Sequence, residues 1–140
     1  MTDRALGSCS CGAVKFEIAL PTKWIAHCHC SMCRRAHGAP FVTWVGVDAA
    51  AFRVTGGGES LGRHRSSPEA TRSFCTTCGS PLFFESSRWP GEIHIARAAF
   101  ASELDKAPLA HVFFSDKAPW VDVRDDLPRR GGPTGVEPLD

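Results

Sequence analysis

The sequence predicts a single, mainly β domain, and three observations lead to that class. Short segments with apolar residues at alternate positions recur along the chain, separated by glycine, proline and serine. No segment carries the long apolar stripe of an amphipathic helix. At 140 residues the chain is long enough for one domain with a core but short for two.

Period-two alternation and β-branched or aromatic residues mark the predicted strands. These strands lie at residues 13–18, 41–47, 52–55, 60–64, 71–74, 81–85, 92–97 and 111–114. Three consecutive glycines, Gly56 to Gly58, predict a turn after the strand at residues 52–55. Helix is expected only as short turns, around residues 34–37 and around residues 102–106, where Ser102 is a candidate cap.

The predicted domain occupies residues 7–128 and is preceded by a short lead at residues 1–6. Residues 129–140 contain little apolar surface to bury and are rich in glycine and proline. Such a segment gains too little from burial to offset the entropy of ordering it. We therefore expect a flexible C-terminal tail over residues 129–140.

Charge and hydropathy argue against two classes of partner. The chain carries 16 Lys and Arg against 15 Asp and Glu, a net charge of +1, so no strong field attracts nucleic acid. No apolar run approaches the roughly 20 residues that cross a bilayer, and the first residues do not resemble a signal peptide. We expect a cytoplasmic protein without membrane or nucleic-acid partners.

Seven cysteines fall into three groups, and their spacing predicts metal binding. In a reducing compartment structural disulfides are rare. Pairing seven cysteines in disulfides would also leave one thiol unpaired. Cys75 and Cys78 are separated by two residues and followed by Gly79, which suits a tight turn that aims both sulfurs at one ion. Cys9 and Cys11 would share one face of an extended segment and complete a four-sulfur site.

The remaining group, Cys28, Cys30 and Cys33, offers three sulfurs within six residues. Such a short run does not easily supply a fourth ligand, so one position on the ion would stay open. An open position distinguishes catalytic from structural zinc, because water or a substrate thiol can occupy it.

Two alternatives to an open zinc site remain. A neighbouring histidine could close the group as a structural Cys3His site, the candidates being His27, His29 and His37. His29 fits this role least, because its side chain would point away from the face that Cys28 and Cys30 share. The same thiols could also hold an iron–sulfur cluster, since spacing alone does not separate the metals.

Four motifs, in order along the chain, resemble those of one family. They are GSCSCGAV at residues 7–14, CHCSMCRR at 28–35, FCTTCG at 74–79 and KAPW at 117–120. Together they resemble the glutathione-dependent formaldehyde-activating enzyme family, also called the centromere-protein-V/GFA domain family. The resemblance extends from about Gly7 to Arg130.

The resemblance implies a β-tent fold with two zinc ions per chain. The structural zinc would lie on Cys9, Cys11, Cys75 and Cys78, and the catalytic zinc on Cys28, Cys30 and Cys33. It further implies carbon–sulfur lyase activity, the reversible formation of S-hydroxymethylglutathione from a small thiol, glutathione, and a small aldehyde, formaldehyde.

Two questions remain open at this point. The group that handles the proton of the adduct is not selected by the sequence, the candidates being His27, His29, His37, Arg34 and Arg35. The alternative function is a non-catalytic zinc-binding module for a protein or nucleic-acid partner, and the near-neutral charge disfavours nucleic acid.

Overall fold

The computed structural model describes residues 3–139, which are mainly β-strand. The strands are β1 (Arg4–Ser8), β2 (Lys15–Ala19), β3 (Trp24–Cys28), β4 (Val42–Asp48), β5 (Phe52–Gly56), β6 (Leu61–Ser67), β7 (Ala70–Cys75), β8 (Pro81–Ser86), β9 (Glu92–Ala96), β10 (His111–Val112), β11 (Arg130–Gly131) and β12 (Glu137–Pro138). Helix α1 spans Ser31–His37, and 3-10 turns occur at Ala49–Ala51, Gly58–Ser60, Arg97–Ala99 and Phe114–Asp116. The mainly β class with short helical turns is confirmed.

One predicted helical turn is correct and the other is wrong. The turn around residues 34–37 lies within α1, which ends where Gly38 adopts a left-handed conformation with φ of 60°. Residues 102–106 are not helical. The hydroxyl of Ser102 does not cap a turn but accepts a hydrogen bond from the backbone N–H of Leu6, at 2.9 Å.

The chain forms two compact units, of which the first contains residues 3–23 and 45–106. In it β1, β2 and β5 form an antiparallel sheet, and β6, β7, β8 and β9 follow one another as antiparallel neighbours. Phenylalanines fill its core: Phe16 contacts Phe83 edge-on at 5.2 Å between ring centroids, and Phe52 contacts Phe83 at 4.8 Å. Such aromatic pairs add to the stabilisation from burial itself.

The second unit contains residues 24–44 and 107–139. Its strand β3 pairs in parallel with β10, which sets His111 opposite His27 and Val112 opposite Cys28. Helix α1 begins three residues after the end of β3, and Cys30 is its N-cap. This unit therefore contains the whole CHCSMCRR motif. Separately, no helix in residues 3–139 has the length and apolarity needed to cross a membrane.

Residues predicted to be a tail contribute to the second unit. Strands β11 and β12 pair antiparallel, and the backbone N–H of Phe113 donates to the carbonyl of Gly135 at 2.8 Å. Strand β1 begins at Arg4, inside the predicted lead. Residues 1–2 and residue 140 lie outside the described chain, and both the domain limits at 7–128 and the flexibility of residues 129–140 stay predictions.

Candidate metal centres

The first cysteine group lies entirely in the first unit. The sulfurs of Cys9, Cys11, Cys75 and Cys78 all lie within 4.8 Å of one another. The Sγ atoms of Cys9 and Cys11 are 3.6 Å apart, and those of Cys11 and Cys75 are 3.8 Å apart. Sulfurs at about 2.3 Å from one tetrahedral zinc ion are separated by about 3.8 Å, so this group has the spacing of a four-sulfur zinc site.

Tight turns at the ends of two strands bring these sulfurs together. After β1 the N–H of Gly12 donates to the carbonyl of Cys9 at 3.1 Å. After β7 the N–H of Gly79 donates to the carbonyl of Cys75 at 2.7 Å, and Gly79 has a φ of +79°. Glycine tolerates that conformation at little cost, as the sequence predicted for this position.

Hydrogen-bond donors around the first group favour the ionised form of two of its sulfurs, those of Cys9 and Cys78. The N–H of Val14 donates to Cys9 Sγ at 3.3 Å, and the Ser80 hydroxyl lies 3.1 Å from Cys78 Sγ. Burial alone would raise the pKa of Cys9, but the Val14 bond and the thiols of Cys11 and Cys75 lower it. The contact with Ser80 lowers the pKa of Cys78 to about 5, so thiolate is available there for a cation.

The second cysteine group lies entirely in the second unit. The sulfurs of Cys28, Cys30 and Cys33 are within 4.8 Å of one another, with 3.7 Å between those of Cys28 and Cys33. Cys28 is the last residue of β3, and Cys30 Sγ accepts a hydrogen bond from the N–H of Cys33 at 3.4 Å as it caps α1. The three sulfurs therefore lie close together because the end of β3 and the first turn of α1 are adjacent.

Negative charge in this group is concentrated on Cys30. Bonds from the Cys28 and Cys33 thiols lower the pKa of Cys30 to about 2, and the same interactions raise the pKa of Cys28. A thiolate that is already stabilised at neutral pH is a ready ligand for a soft or borderline cation. A sulfur-only set of three such ligands fits zinc.

No histidine joins the three sulfurs. Within residues 3–139 no histidine nitrogen or carboxylate oxygen shares the 4.8 Å group with all three of them. His27 Nδ1 instead contacts the Thr43 hydroxyl at 2.8 Å, and the His37 ring packs against the Trp44 ring at 5.1 Å between centroids. The Cys3His alternative therefore has no support in the described part of the chain.

His29 is fully buried and points toward a second histidine. Its Nε2 lies 2.8 Å from Nδ1 of His111, and Nε2 of His111 lies 2.9 Å from Oδ2 of Asp125. Burial, followed by the neighbouring His111, lowers the pKa of His29 to about 4, so its ring is neutral. No sequence motif marks His111 or Asp125; the only available signal was a lone histidine within a predicted apolar strand.

The two arginines after Cys33 have different environments. Arg34 donates from Nε to the carbonyl of His29 at 3.2 Å and from Nη2 to the carbonyl of Asp116 at 3.1 Å. Arg35 is exposed. The guanidinium of Arg34 therefore already donates hydrogen bonds to two backbone carbonyls.

These features define a class: a small, mainly β protein with two separate cysteine groups, each able to hold a metal ion. The chain belongs to the family described as glutathione-dependent formaldehyde-activating enzyme, whose model matches residues 4–116. This confirms the family predicted from the four motifs. Membership of this enzyme family and the cysteine groups together support a zinc-binding enzyme of the same type.

Three known proteins illustrate the relationship. A protein of Halomonas elongata, named provisionally as a glutathione-dependent formaldehyde-activating enzyme, is 31% identical over 125 residues, which cover 84% of this chain and 79% of that protein. An uncharacterized lyase of Schizosaccharomyces pombe is 30% identical over 78 residues, 56% of this chain and 55% of the other. The crystal structure of a Rhodobacter sphaeroides protein matches with a TM-score of 0.61 and 28% identity, covering 71% of this chain and 91% of that one.

Proposed function

We propose that the protein is a zinc-dependent carbon–sulfur lyase that forms or cleaves the adduct of a small thiol and a small aldehyde, such as S-hydroxymethylglutathione. The convergence of Cys28, Cys30 and Cys33 without a fourth ligand from the described chain carries the proposal. A three-sulfur site leaves room for a substrate sulfur, whereas a site closed by four protein ligands does not.

The two cysteine groups have different roles in this proposal, and each binds one zinc ion. Cys9, Cys11, Cys75 and Cys78 hold the first ion as a structural link between the ends of β1 and β7. Cys28, Cys30 and Cys33 hold the second. Metal-binding thiols must stay reduced, and we therefore propose a cytoplasmic location. We also propose residues 7–128 as the domain that folds around both sites.

When bound at the second site, zinc would supply a positive charge that favours the thiolate form of an incoming thiol. The chain's own contribution is to fix the three ligands. The backbone N–H of Cys33 holds Cys30 Sγ in place, and β3 fixes Cys28. Cys28 and Cys33 are each 5% exposed, so these two ligands are shielded from bulk water.

Exchange spectroscopy tests the reaction. Magnetisation exchange between free formaldehyde hydrate and its glutathione adduct is measured with the holoprotein, with Cys30→Ser and without protein. We expect the holoprotein to accelerate exchange and Cys30→Ser to return it to the uncatalysed rate. Serine is itself a good N-cap, so α1 should survive this substitution.

Met32→Leu is the matched control, because Met32 lies between Cys30 and Cys33 in sequence, is 45% exposed and offers no thiol. It should keep the wild-type rate. Metal analysis of the same samples should give two zinc ions per chain for wild type and Met32→Leu and one for Cys30→Ser. Equal exchange rates with and without wild-type protein would refute the lyase proposal and favour the non-catalytic alternative, while iron in place of zinc would refute the metal assignment.

A further inference from the structure

Lysine is scarce in this chain, and its primary amine is a side-chain group with which aldehydes readily condense. Only four of the 16 Lys and Arg residues are lysines, namely Lys15, Lys23, Lys106 and Lys117. The other positive charges belong to arginine, whose guanidinium stays protonated in proteins and is a poor nucleophile. The environment of four amines therefore decides where an aldehyde can attach to lysine in this protein.

Lys23 is exposed, but two carboxylates hold its ammonium group. Its Nζ atom lies 2.8 Å from Oε2 of Glu92 and 3.3 Å from Oδ1 of Asp48. The hydrogen bond to Glu92, followed by that to Asp48, raises the pKa of Lys23. An aldehyde condenses with the neutral amine, so partners that favour the ammonium form slow the reaction.

Lys106 and Lys117 are half-buried and donate to backbone carbonyls. Nζ of Lys106 donates to the carbonyl of Thr22 and lies 3.4 Å from Oδ2 of Asp105. Nζ of Lys117 donates to two carbonyls, that of Ala118 at 3.0 Å and that of Val121. An ammonium group has N–H donors and no lone pair, so these bonds must be disturbed before the nitrogen can attack a carbon atom.

Lys15 differs from the other three. It is exposed at the start of β2, and its neighbours across the sheet are Ser8 in β1 and Gly56 in β5, neither of which has a carboxylate. The next residue with its side chain on the same face of β2 is Glu17, whose carboxylate is bonded to Arg53. Within residues 3–139 the Lys15 ammonium makes no hydrogen bond or ion pair.

We propose that Lys15 is the lysine at which formaldehyde modifies this protein, and that fixed partners keep the other three lysines less reactive. The relevance of formaldehyde rests on the proposed function. The neutral Nζ forms a bond to the aldehyde carbon, and the carbonyl oxygen takes up a proton to give a hydroxymethylamine. Loss of water then gives an imine, with no oxidation or reduction. Lys15 belongs to neither cysteine group, so its modification should leave the zinc content unchanged.

Reductive labelling of the zinc-loaded protein tests the assignment. Protein is treated at neutral pH with ¹³C-formaldehyde and a mild borane reductant, which converts each imine to a stable methylamine. Samples taken at intervals are digested, and mass spectrometry gives the initial rate at each lysine. We expect Lys15 to be labelled at least about threefold faster than each of the others, the size expected from surface ion pairs and fixed hydrogen bonds. Equal rates, or a faster rate at another lysine, would overturn the inference.

Glu92→Gln tests whether ion pairing protects Lys23, because it removes the carboxylate that Lys23 contacts most closely. The labelling rate of Lys23 should rise toward that of Lys15. Asp48→Asn removes the longer contact at an exposed position and should produce a smaller rise. Glu85→Gln is the matched control, since Glu85 is exposed and contacts no lysine, and it should change no rate. Unchanged Lys23 labelling in both Glu92→Gln and Asp48→Asn would refute protection by the carboxylates.

Lys15→Arg should remove the fast-labelled site while keeping the zinc content and the glutathione–formaldehyde exchange rate of wild type. Loss of zinc from this variant would contradict a peripheral modification site. Labelling needs no catalysis by the protein, so the two proposals can fail separately. Selective labelling of Lys15 without accelerated exchange would leave the site standing and refute the lyase. Accelerated exchange with uniform labelling would do the reverse.

Discussion

The guanidinium of Arg34 donates from Nη2 to the backbone carbonyl of Asp116 at 3.1 Å. Its Nε donates at the same time to the carbonyl of His29 at 3.2 Å. One side chain on α1 therefore connects the segment between two proposed zinc ligands to the 3-10 turn at Phe114–Asp116. Because a planar guanidinium presents donors in fixed directions, lysine cannot replace both bonds.

We predict that Arg34→Lys lowers the free energy of unfolding of the zinc-loaded protein by about 1–2 kcal/mol, the usual effect of losing one or two hydrogen bonds from a charged donor. Urea unfolding followed by tryptophan fluorescence measures it. Arg35→Lys, at the exposed neighbouring position, is the control and should stay within about 0.5 kcal/mol of wild type. Equal losses in the two variants would contradict the role of Arg34.

Local sequence signals predicted the cysteine groups and most strands. The spacing of Cys28, Cys30 and Cys33 requires no information from elsewhere in the chain, because a short segment must hold all three sulfurs. The alternation around residues 13–18 and 92–97 predicted β2 and β9 closely. It did not predict that the polar residues of the pattern, Glu17 and His94, are buried as well. The turn at the three glycines was also visible from composition.

Contacts between distant residues were beyond such reasoning. His29 and His111 are 82 positions apart, and nothing near either residue shows that their rings meet. The hydroxyl of Ser102 bonds to Leu6, 96 positions away, and this interaction competes with the cap that the local sequence suggested. Strands β11 and β12 have two residues each, too few for a detectable period.

Gly57 and Gly58 allow a sharp test of the turn after β5. Gly57 has φ of +75°, and a Cβ atom there would lie 1.6 Å from the carbonyl oxygen of Ala13. A Cβ on Gly58 would meet no atom within 4 Å. We predict that Gly57→Ala destabilises the protein by more than about 2 kcal/mol, because the backbone itself must move.

Gly58→Ala should change stability by less than about 1 kcal/mol and supplies the control. Thermal unfolding of both variants, each loaded with zinc, is the measurement. Similar unfolding temperatures for the two variants would show that Ala13 can move away from position 57 at little cost, contrary to the prediction.

Ser80 supports the four-cysteine site from outside it. Its hydroxyl accepts from the N–H of Ser10 at 3.0 Å and contacts Cys78 Sγ at 3.1 Å. The bond from Ser10 uses a lone pair of the oxygen, so the hydroxyl proton can still be donated to the sulfur. This contact is the leading cause of the lowered pKa of Cys78. Residues that orient metal ligands typically alter metal affinity by tenfold or more.

We predict that Ser80→Ala weakens binding of the zinc ion proposed for the four-cysteine site about tenfold. Competition with a chromophoric chelator measures the affinity. Thr77→Ala removes a hydroxyl from the same turn, at an exposed position, and should leave zinc binding unchanged. An unchanged affinity in Ser80→Ala would show that the serine hydroxyl does not support the ligand.

His94 should make the stability of the protein depend on pH. The ring is 6% exposed, stacks on Phe84 at 5.7 Å between centroids, and contacts Glu92 through Nε2 at 3.0 Å. Burial lowers the pKa of His94 from its ordinary value of 6.5, and the opposing effect of Glu92 does not fully compensate. As the pH falls below 6.5, the unfolded chain therefore takes up a proton before the folded one does, and the free energy of unfolding decreases.

Replacement by a side chain that does not titrate should remove this contribution. We predict that His94→Gln, which keeps a donor for Glu92, loses less stability than wild type between about pH 7 and the region just below 6.5. Loss of the proposed zinc ions at acidic pH would affect both proteins alike. The informative quantity is therefore the difference between their free energies of unfolding at each pH. That difference should shift in favour of His94→Gln as the pH falls, and a constant difference would mean that His94 has the same pKa in the folded and unfolded states.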